Sequence, residues 1–333
     1  MTDSGKRRVA SELSPKRFSI IGLVSAGLSL TVVVTIVGFF GRHWWVADVI
    51  SNFRVQYAVC GLVAAVIMIL VRRNRTAAVS LAVLILNLLP VLSAYMGRSP
   101  ASGMGSSDGS QSSIRVLLCN VWSDNKEFDK LRNCIQREEP DIIILQEVTE
   151  KWLQSMPELR ISHPHYIEYP EVDDFGIALY SRQPLENVEI IKVGEMQLAS
   201  VHAVLRNGDK RMHLVGTHPL PPGGKEYWGW RNNQLAGVTD YIRERAVDDA
   251  VVLVGDLNCT PWTYYFQKFE KESGLTHAGR GRGLHVSWPV FFPPAWIPID
   301  HFLISPSVEV KAFRALRDVG SDHYPLMVEI VPH

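Results

Sequence analysis

Apolar positions fall into two regimes along this chain. Residues 18–41, 55–71 and 76–97 are apolar stretches without a charged side chain, each near the roughly 17–25 residues a helix needs to cross a bilayer. They predict three transmembrane helices. One such stretch at an N-terminus also reads as a cleaved signal peptide, but this apolar core is too long and is followed by two more. Asn87 and Pro90 in the third stretch mark a kink or a helix contact. From Ile114 the pattern changes to short apolar runs between polar, turn-rich segments. It predicts strands at 114–119, 141–145, 176–180, 188–193, 250–254, 299–304, 308–315 and 325–331, with a hairpin of 201–205 and 212–216 around Asn207-Gly208. Helical spacing covers 128–138 and 231–245. Many strands with few helices indicate two packed sheets flanked by helices, an α+β arrangement.

This organisation divides the chain into a tail at 1–17, a membrane anchor at 18–98, a Gly/Ser-rich flexible linker at 99–113 and a catalytic domain at 114–333. Basic residues set the orientation. Lys6, Arg7, Arg8, Lys16 and Arg17 precede the first span and Arg72, Arg73 and Arg75 follow the second, against Arg42, Arg54 and Arg98 on the other side. The excess places the N-terminus in the cytoplasm and the large domain on the extracytoplasmic side of a multi-pass cytoplasmic-membrane protein. Trp44 and Trp45 fall where an aromatic belt anchors the outer interface.

Charge adds one constraint: 34 basic and 34 acidic residues leave no net field to recruit a polyanion. The four cysteines, Cys60, Cys119, Cys134 and Cys259, show no metal-binding spacing and read as packing residues.

Polar residues that end buried runs carry the chemistry. Gly255-Asp256-Leu257-Asn258 is the most specific local pattern. Four apolar residues force a strand, Gly255 permits close backbone approach, and two polar groups emerge at period two. Asp256 suits proton acceptance from an attacking water, and Asn258 suits orienting that water or phosphate. Glu147 follows an apolar strand where solvent is scarce. A hard cation with oxygen ligands accounts for it, and a structural salt bridge is the competing account. Asn120 is either a ligand for metal-bound water or phosphate, or a turn cap. His218 is either a phosphate contact or a satisfied core histidine. Arg231, one turn from Gln234 on a helix, either neutralises a phosphate or is solvated. In Ile299-Asp300-His301 and Ser321-Asp322-His323, an Asp near a His fixes its tautomer. Asp300 is the candidate orienter of His323, the candidate phosphate contact, and Asp322 is placed to reach a metal or its water.

Taken in order, Asn120, Gln146-Glu147, Thr217-His218, Gly255-Asp256-Leu257-Asn258, Ser287-Trp288, Ile299-Asp300-His301 and Gly320-Ser321-Asp322-His323 resemble the motif series of the endonuclease/exonuclease/phosphatase superfamily. The resemblance covers about 114–333. It implies a four-layered α/β sandwich and Mg²⁺- or Mn²⁺-dependent phosphoester cleavage. The implied metal ligands are Glu147, Asn120 and Asp322; the implied catalytic residues are His218, Asp256, Asn258, Asp300 and His323; Asn120, Arg231 and Trp288 are taken as substrate contacts. The three-span N-terminus is similar to that of a bacterial membrane-anchored branch. Cys119 departs from the pattern, and Asp124 is the nearest acid after Asn120.

Three functions are compatible with these residues. The first is a membrane-anchored hydrolase cleaving a phosphoester or pyrophosphate bond of a lipid in the adjoining bilayer, a phospholipid head group or a polyprenyl (pyro)phosphate. Tyr227, Trp228, Trp230 and the run 291–296 are then either interfacial aromatics or ordinary loop packing. The second is an extracytoplasmic nuclease that meets nucleic acid through Arg280 and Arg282. The third is a silent phospholigand-binding protein. No protein partner is indicated.

Overall fold

The computed structural model describes residues 20–97, 113–207, 210–246 and 248–333. The expected tail at 1–17 and nearly all of the expected linker at 99–113 lie outside these residues.

The N-terminal module contains α1 (Ile20–Val37), α2 (Trp45–Ser51), α3 (Arg54–Leu70) and α4 (Asn74–Tyr95). Two helical segments, Ile20–Phe40 and Asn74–Tyr95, are long and apolar enough to cross a membrane. The middle expected span, 55–71, is a helix, α3, but it does not by itself meet the length needed to span. α3 has 17 residues, and it counts as part of a span only with α2, from which it bends by 62°. Asn87 is a helix contact: its amide donates to Thr35 Oγ1 at 2.8 Å, tying α4 to α1.

The second part contains β1 (Ile114–Asn120), α5 (Phe128–Glu138), β2 (Ile142–Gln146), α6 (Glu150–Gln154), α7 (Glu158–Ser162), β3 (His165–Tyr169), β4 (Ile177–Ser181), β5 (Leu185–Lys192), β6 (Ala199–Asn207), β7 (Lys210–Thr217), α8 (Lys225–Arg245), β8 (Ala250–Asp256), α9 (Tyr264–Ser273), β9 (Thr276–His277), β10 (Asp300–Ile304), β11 (Val308–Ala315) and β12 (Leu326–Pro332). These strands form two six-stranded sheets, ordered β11-β12-β1-β2-β4-β3 and β5-β6-β7-β8-β10-β9. Both are mixed: β1 runs parallel to β2 and β7 parallel to β8, while the other pairings are antiparallel.

Strand periodicity explains the layering. In β1, Val116 and Leu118 face the interior between the sheets, where Ile144, Val201, Leu214, Val252 and Val254 meet them. The alternate residues Leu117 and Cys119 face outward, against Leu131 and Cys134 of α5. On the far side Val251 and Leu253 pack under Leu235 and Val238 of α8 and Phe266 of α9. The central strands are therefore apolar on both faces, which made them read as continuous runs. The result is helices, sheet, sheet, helices.

Several elements differ from their predictions. α8 starts at Lys225 rather than Arg231, because its first turns are aromatic and polar and carry no apolar period. The helices α6, α7 and α9 and the strands β3 and β9 were not marked either, and all but α9 are too short to show a repeat.

Candidate active site

The polar strand ends collect at one end of the sandwich by direction alone. β1, β2, β7 and β8 point the same way within their sheets and deliver their C-terminal residues there: Asn120, Gln146-Glu147, Thr217-His218 and Asp256. β10 and β12 run the opposite way and begin there, so Asp300 starts β10 and His323 lies just before β12. In the β8–β10 register Asp300 lies directly opposite Asp256.

Gln146 joins the two sheets. Its amide donates to the Thr217 carbonyl at 2.8 Å, and its oxygen accepts from the Asp256 amide at 2.9 Å. Gly255 is needed here, since a Cβ would run into the Thr217 carbonyl oxygen and crowd the Gln146 amide. Three non-glycine residues at this end adopt left-handed backbone: Trp122, Glu147 and Asn258 (φ +59°, +62° and +52°). Such conformations cost on the order of 1–3 kcal/mol each and concentrate at functional sites.

At the centre Asp256 lies between two imidazoles. His218 Nε2 is 3.6 Å from its Oδ2, and His323 Nε2 is 3.8 Å from the same oxygen. His323 Nδ1 meets Asp300 Oδ2 at 2.7 Å. Burial works against charge on His323, but the adjoining Asp300 carboxylate overrides it and pushes His323 up to about 10. Burial likewise opposes charge on His218, and the Asp256 carboxylate reverses the balance and raises it. Asp300, although burial favours its neutral form, is held below the usual carboxylate range by His323. Ser287 Oγ accepts from the Asp300 amide and Ser321 Oγ donates to the Asn120 carbonyl, bracing both loops.

Glu147 differs. Burial raises its titration above the ordinary value, and among the described residues no Lys or Arg forms an ion pair with it. Its contact is Asn120, whose amide donates to Oε1 at 2.7 Å. A half-buried carboxylate with no Lys or Arg partner, in a cavity also lined by the carboxylates of Asp174 and Asp322, belongs to an oxygen-rich donor set of the kind that suits a hard divalent cation. The tightest metal-capable triplet among the described residues is instead Asp256, Asp300 and His323, with ligand atoms within 4.8 Å of one another. There the imidazole already balances Asp300, so Glu147 is the better place for a cation.

These groups open onto a cavity of about 420 Å³. Glu147, His218, Asp256, Asn258, Trp288, Asp322 and His323 line it, and Asn120 and Asp300 stand directly behind. Trp288 Nε1 donates to Asp322 Oδ2 at 3.0 Å, so these two expected contacts are also partners.

Two expectations need correction. Arg231 is fully buried, and its guanidinium is occupied by Asp48 Oδ2 at 2.6 Å, the Asn258 carbonyl at 3.0 Å and Asn232. It does not face a phosphate, because a partner from the N-terminal module takes its charge. Asn120 uses its amide on Glu147 and its oxygen on the Trp122 amide, at 3.0 Å. It therefore orients Glu147 and does not reach the cavity as a substrate contact.

The model of the endonuclease/exonuclease/phosphatase family matches residues 117–323. The chain belongs to this family. Solved structures share its fold at low identity. The human Nocturnin catalytic domain with bound sulfate has a TM-score of 0.56 at 19% identity, covering 66% of this chain and 95% of that one. D. rerio TDP2 complexed with single-strand DNA product gives 0.55 at 18%, with 66% and 99% covered. A family member from Bacteroides vulgatus gives 0.56 at 17%, with 67% and 100% covered. No curated protein matches closely enough to count as a relative. Enzymes of the endonuclease/exonuclease/phosphatase family are phosphoesterase or nuclease hydrolases and typically depend on a divalent metal.

Sequence reasoning passed over several residues that line the cavity. Asp174 and Phe175 line the cavity from the loop before β4, with no strand end or motif to mark them. Val49, Asn52 and Phe53 line it from the N-terminal module, inside what read only as a membrane anchor.

Proposed function

We propose that this protein is a membrane-anchored, Mg²⁺- or Mn²⁺-dependent phosphoesterase whose substrate is a lipid phosphate in the adjoining bilayer, with its catalytic domain on the extracytoplasmic side. The observation that carries this reading is the single cavity shared by Glu147, Asp256 and His323 with Val49 and Phe53 of the N-terminal module. Exposed apolar side chains along α1 and α4, such as Leu23, Leu30, Val33, Ile85 and Leu89, support the anchor. The excess of basic residues in the N-terminal tail and at Arg72, Arg73 and Arg75 supports the sidedness. The free cysteines Cys119, Cys134 and Cys259 are buried, which shields their thiols in an oxidising compartment.

The chemistry follows from the groups present. A divalent ion held by Glu147, with Asp322 nearby, would neutralise phosphate oxygens. Asp256 takes a proton as the water oxygen bonds to phosphorus. His323, protonated and fixed by Asp300, donates a hydrogen bond to a phosphoryl oxygen as its charge grows. The ester P–O bond breaks on the opposite side, and protonated His218 gives its proton to the departing oxygen.

The nuclease alternative is less well served. Arg280 pairs with Glu270 at 2.8 Å and Arg282 donates to the Val310 carbonyl at 2.5 Å, so both guanidinium groups are engaged internally. No Lys or Arg lines the cavity among the described residues, whereas polyanion binding rests on such contacts.

The test is turnover by the full-length protein in lipid nanodiscs, with Mg²⁺ or Mn²⁺, on lipid phosphomonoesters, phosphodiesters and pyrophosphates alongside single-stranded DNA and RNA. Release of phosphate or a head group from lipid, lost in Asp256→Ala and Glu147→Ala, is expected. Cleavage confined to nucleic acid would replace this reading with the nuclease one.

A further inference from the structure

The active-site cavity has one wall that does not come from the sandwich. Val49 and Phe53, half-buried residues at the corner between α2 and α3, line the same space as Asp256 and His323. Phe175, Pro222 and Ile297 add further apolar surface to the same cavity. A phosphate and its attacking water need only the polar floor. The apolar walls call for a ligand whose non-phosphate part is apolar, since such pockets combine hydrophobic lining with a few orienting polar groups.

The corner is held rigidly in place. Asp48 and Arg231, both fully buried, meet at 2.6 Å. The Thr260 amide donates to Asn52 Oδ1 at 2.9 Å, and Trp262 Nε1 donates to the Ser51 carbonyl at 2.9 Å. Gln56 donates to the Trp296 carbonyl at 2.8 Å. A simple tether requires none of these contacts. Asp48 Oδ2, Ser51 and Asn52 make these contacts, whereas Val49 and Phe53 keep apolar surface toward the cavity.

We infer that the α2–α3 corner is the substrate-selecting wall of the active site, and that it admits phosphoesters whose alcohol carries an apolar chain. The N-terminal module is then a working part of the site as well as an anchor. This rests on the phosphoesterase reading and deepens it. Placing the corner beside the cavity also brings the apolar chain next to the helices that carry the most exposed hydrophobic surface, so the lipid stays near its own phase while its phosphate reaches the polar floor.

Two measurements on the full-length protein in detergent micelles separate the inference from the reading it rests on. The first is binding of methyl, hexyl and dodecyl phosphonate in the presence of Mg²⁺ by isothermal titration. Affinity should rise with chain length, and Phe53→Ser and Val49→Ser should each lower the dodecyl-to-methyl ratio by about tenfold, the factor expected when one apolar contact leaves a desolvated site. Phe53→Leu, which keeps apolar surface, should restore the ratio. A corner that only supports the fold would weaken all three ligands equally and lower the melting temperature, and that result overturns the inference. So does wild-type affinity that is independent of chain length. The second measurement is hydrolysis of 4-nitrophenyl phosphodiesters bearing the same three chains. No hydrolysis of any of them or of the corresponding monoesters overturns the phosphoesterase reading, while the binding series still decides the role of the corner.

Discussion

Arg231 Nη2 and Asp48 Oδ2 lie 2.6 Å apart with neither side chain exposed, and Arg231 Nη1 continues to the carbonyl of Asn258 at 3.0 Å. One guanidinium thus connects the N-terminal module to the strand-end loop that follows Asp256.

Removing one member of this pair leaves a buried charge without its partner. Asp48→Leu should destabilise the full-length protein by about 3–5 kcal/mol. The double variant Asp48→Leu with Arg231→Met should recover most of that loss, since a buried ion pair and an apolar pair of similar size are often close in stability. Thermal unfolding of the four members of the cycle in detergent measures the coupling, and additive losses would show that the pair is not a unit.

Asp300 acts through His323, so its removal should alter rate more than binding. Asp300→Asn keeps the shape but no longer favours the charged imidazole, and kcat should fall by about 10²–10⁴-fold. KM should change little. Steady-state turnover on a lipid phosphate or a generic phosphodiester reads both constants, and a change confined to KM would assign Asp300 to binding.

Asn120 orients Glu147 without facing the cavity. Loss of such a supporting contact typically weakens metal affinity by about 10–100-fold. Asn120→Ala should therefore weaken Mn²⁺ binding by that factor, and Glu147→Gln should weaken it further. Calorimetric titration of Mn²⁺ into chelator-treated protein checks this without any assay of turnover. Equal affinity in wild type and Glu147→Gln would move the ion elsewhere, to the Asp256 side of the cavity.

Acid should destabilise the fold through a buried histidine pair. His301 Nδ1 and His277 Nε2 are 3.2 Å apart. Burial holds His301 down to about 4, and burial together with the His301 imidazole holds His277 well below 6.5. Both are neutral when folded, while the unfolded chain takes up protons from about pH 6.5 downward. The stability they permit is complete above that pH and drains away as pH falls toward 4. The melting temperature at pH 5 should lie below that at pH 7, with a shallower slope over this interval in His277→Asn. An unchanged slope in that variant would remove the pair as the cause.

Much of the site was legible because its residues sit at abrupt local boundaries. Asp256 and Glu147 each follow a run of apolar residues that a central strand must bury, and a carboxylate at such a boundary is visible in the order of residues alone. Arg231 was misread for the opposite reason. A basic residue on a helix looks solvated or available until the surface covering it is known, and here that surface is α2. Gln146 stood in plain view beside Glu147, yet its bridge to Thr217 and Asp256 depends on the distance between two sheets. The N-terminal module was read as a tether because its composition reports hydrophobicity and says nothing about where its corner lies.

The order of residues by itself determined the apolar stretches, the strands and the polar groups at their ends, since burial periodicity and charge are local properties of the chain. Only the tertiary structure decided that Asp48 meets Arg231 across 183 positions, and that Val49 and Phe53 complete a cavity begun by Glu147 and Asp256. Such partnerships depend on which surfaces pack together, and packing is settled by the shape of the whole molecule, to which no single segment holds the key.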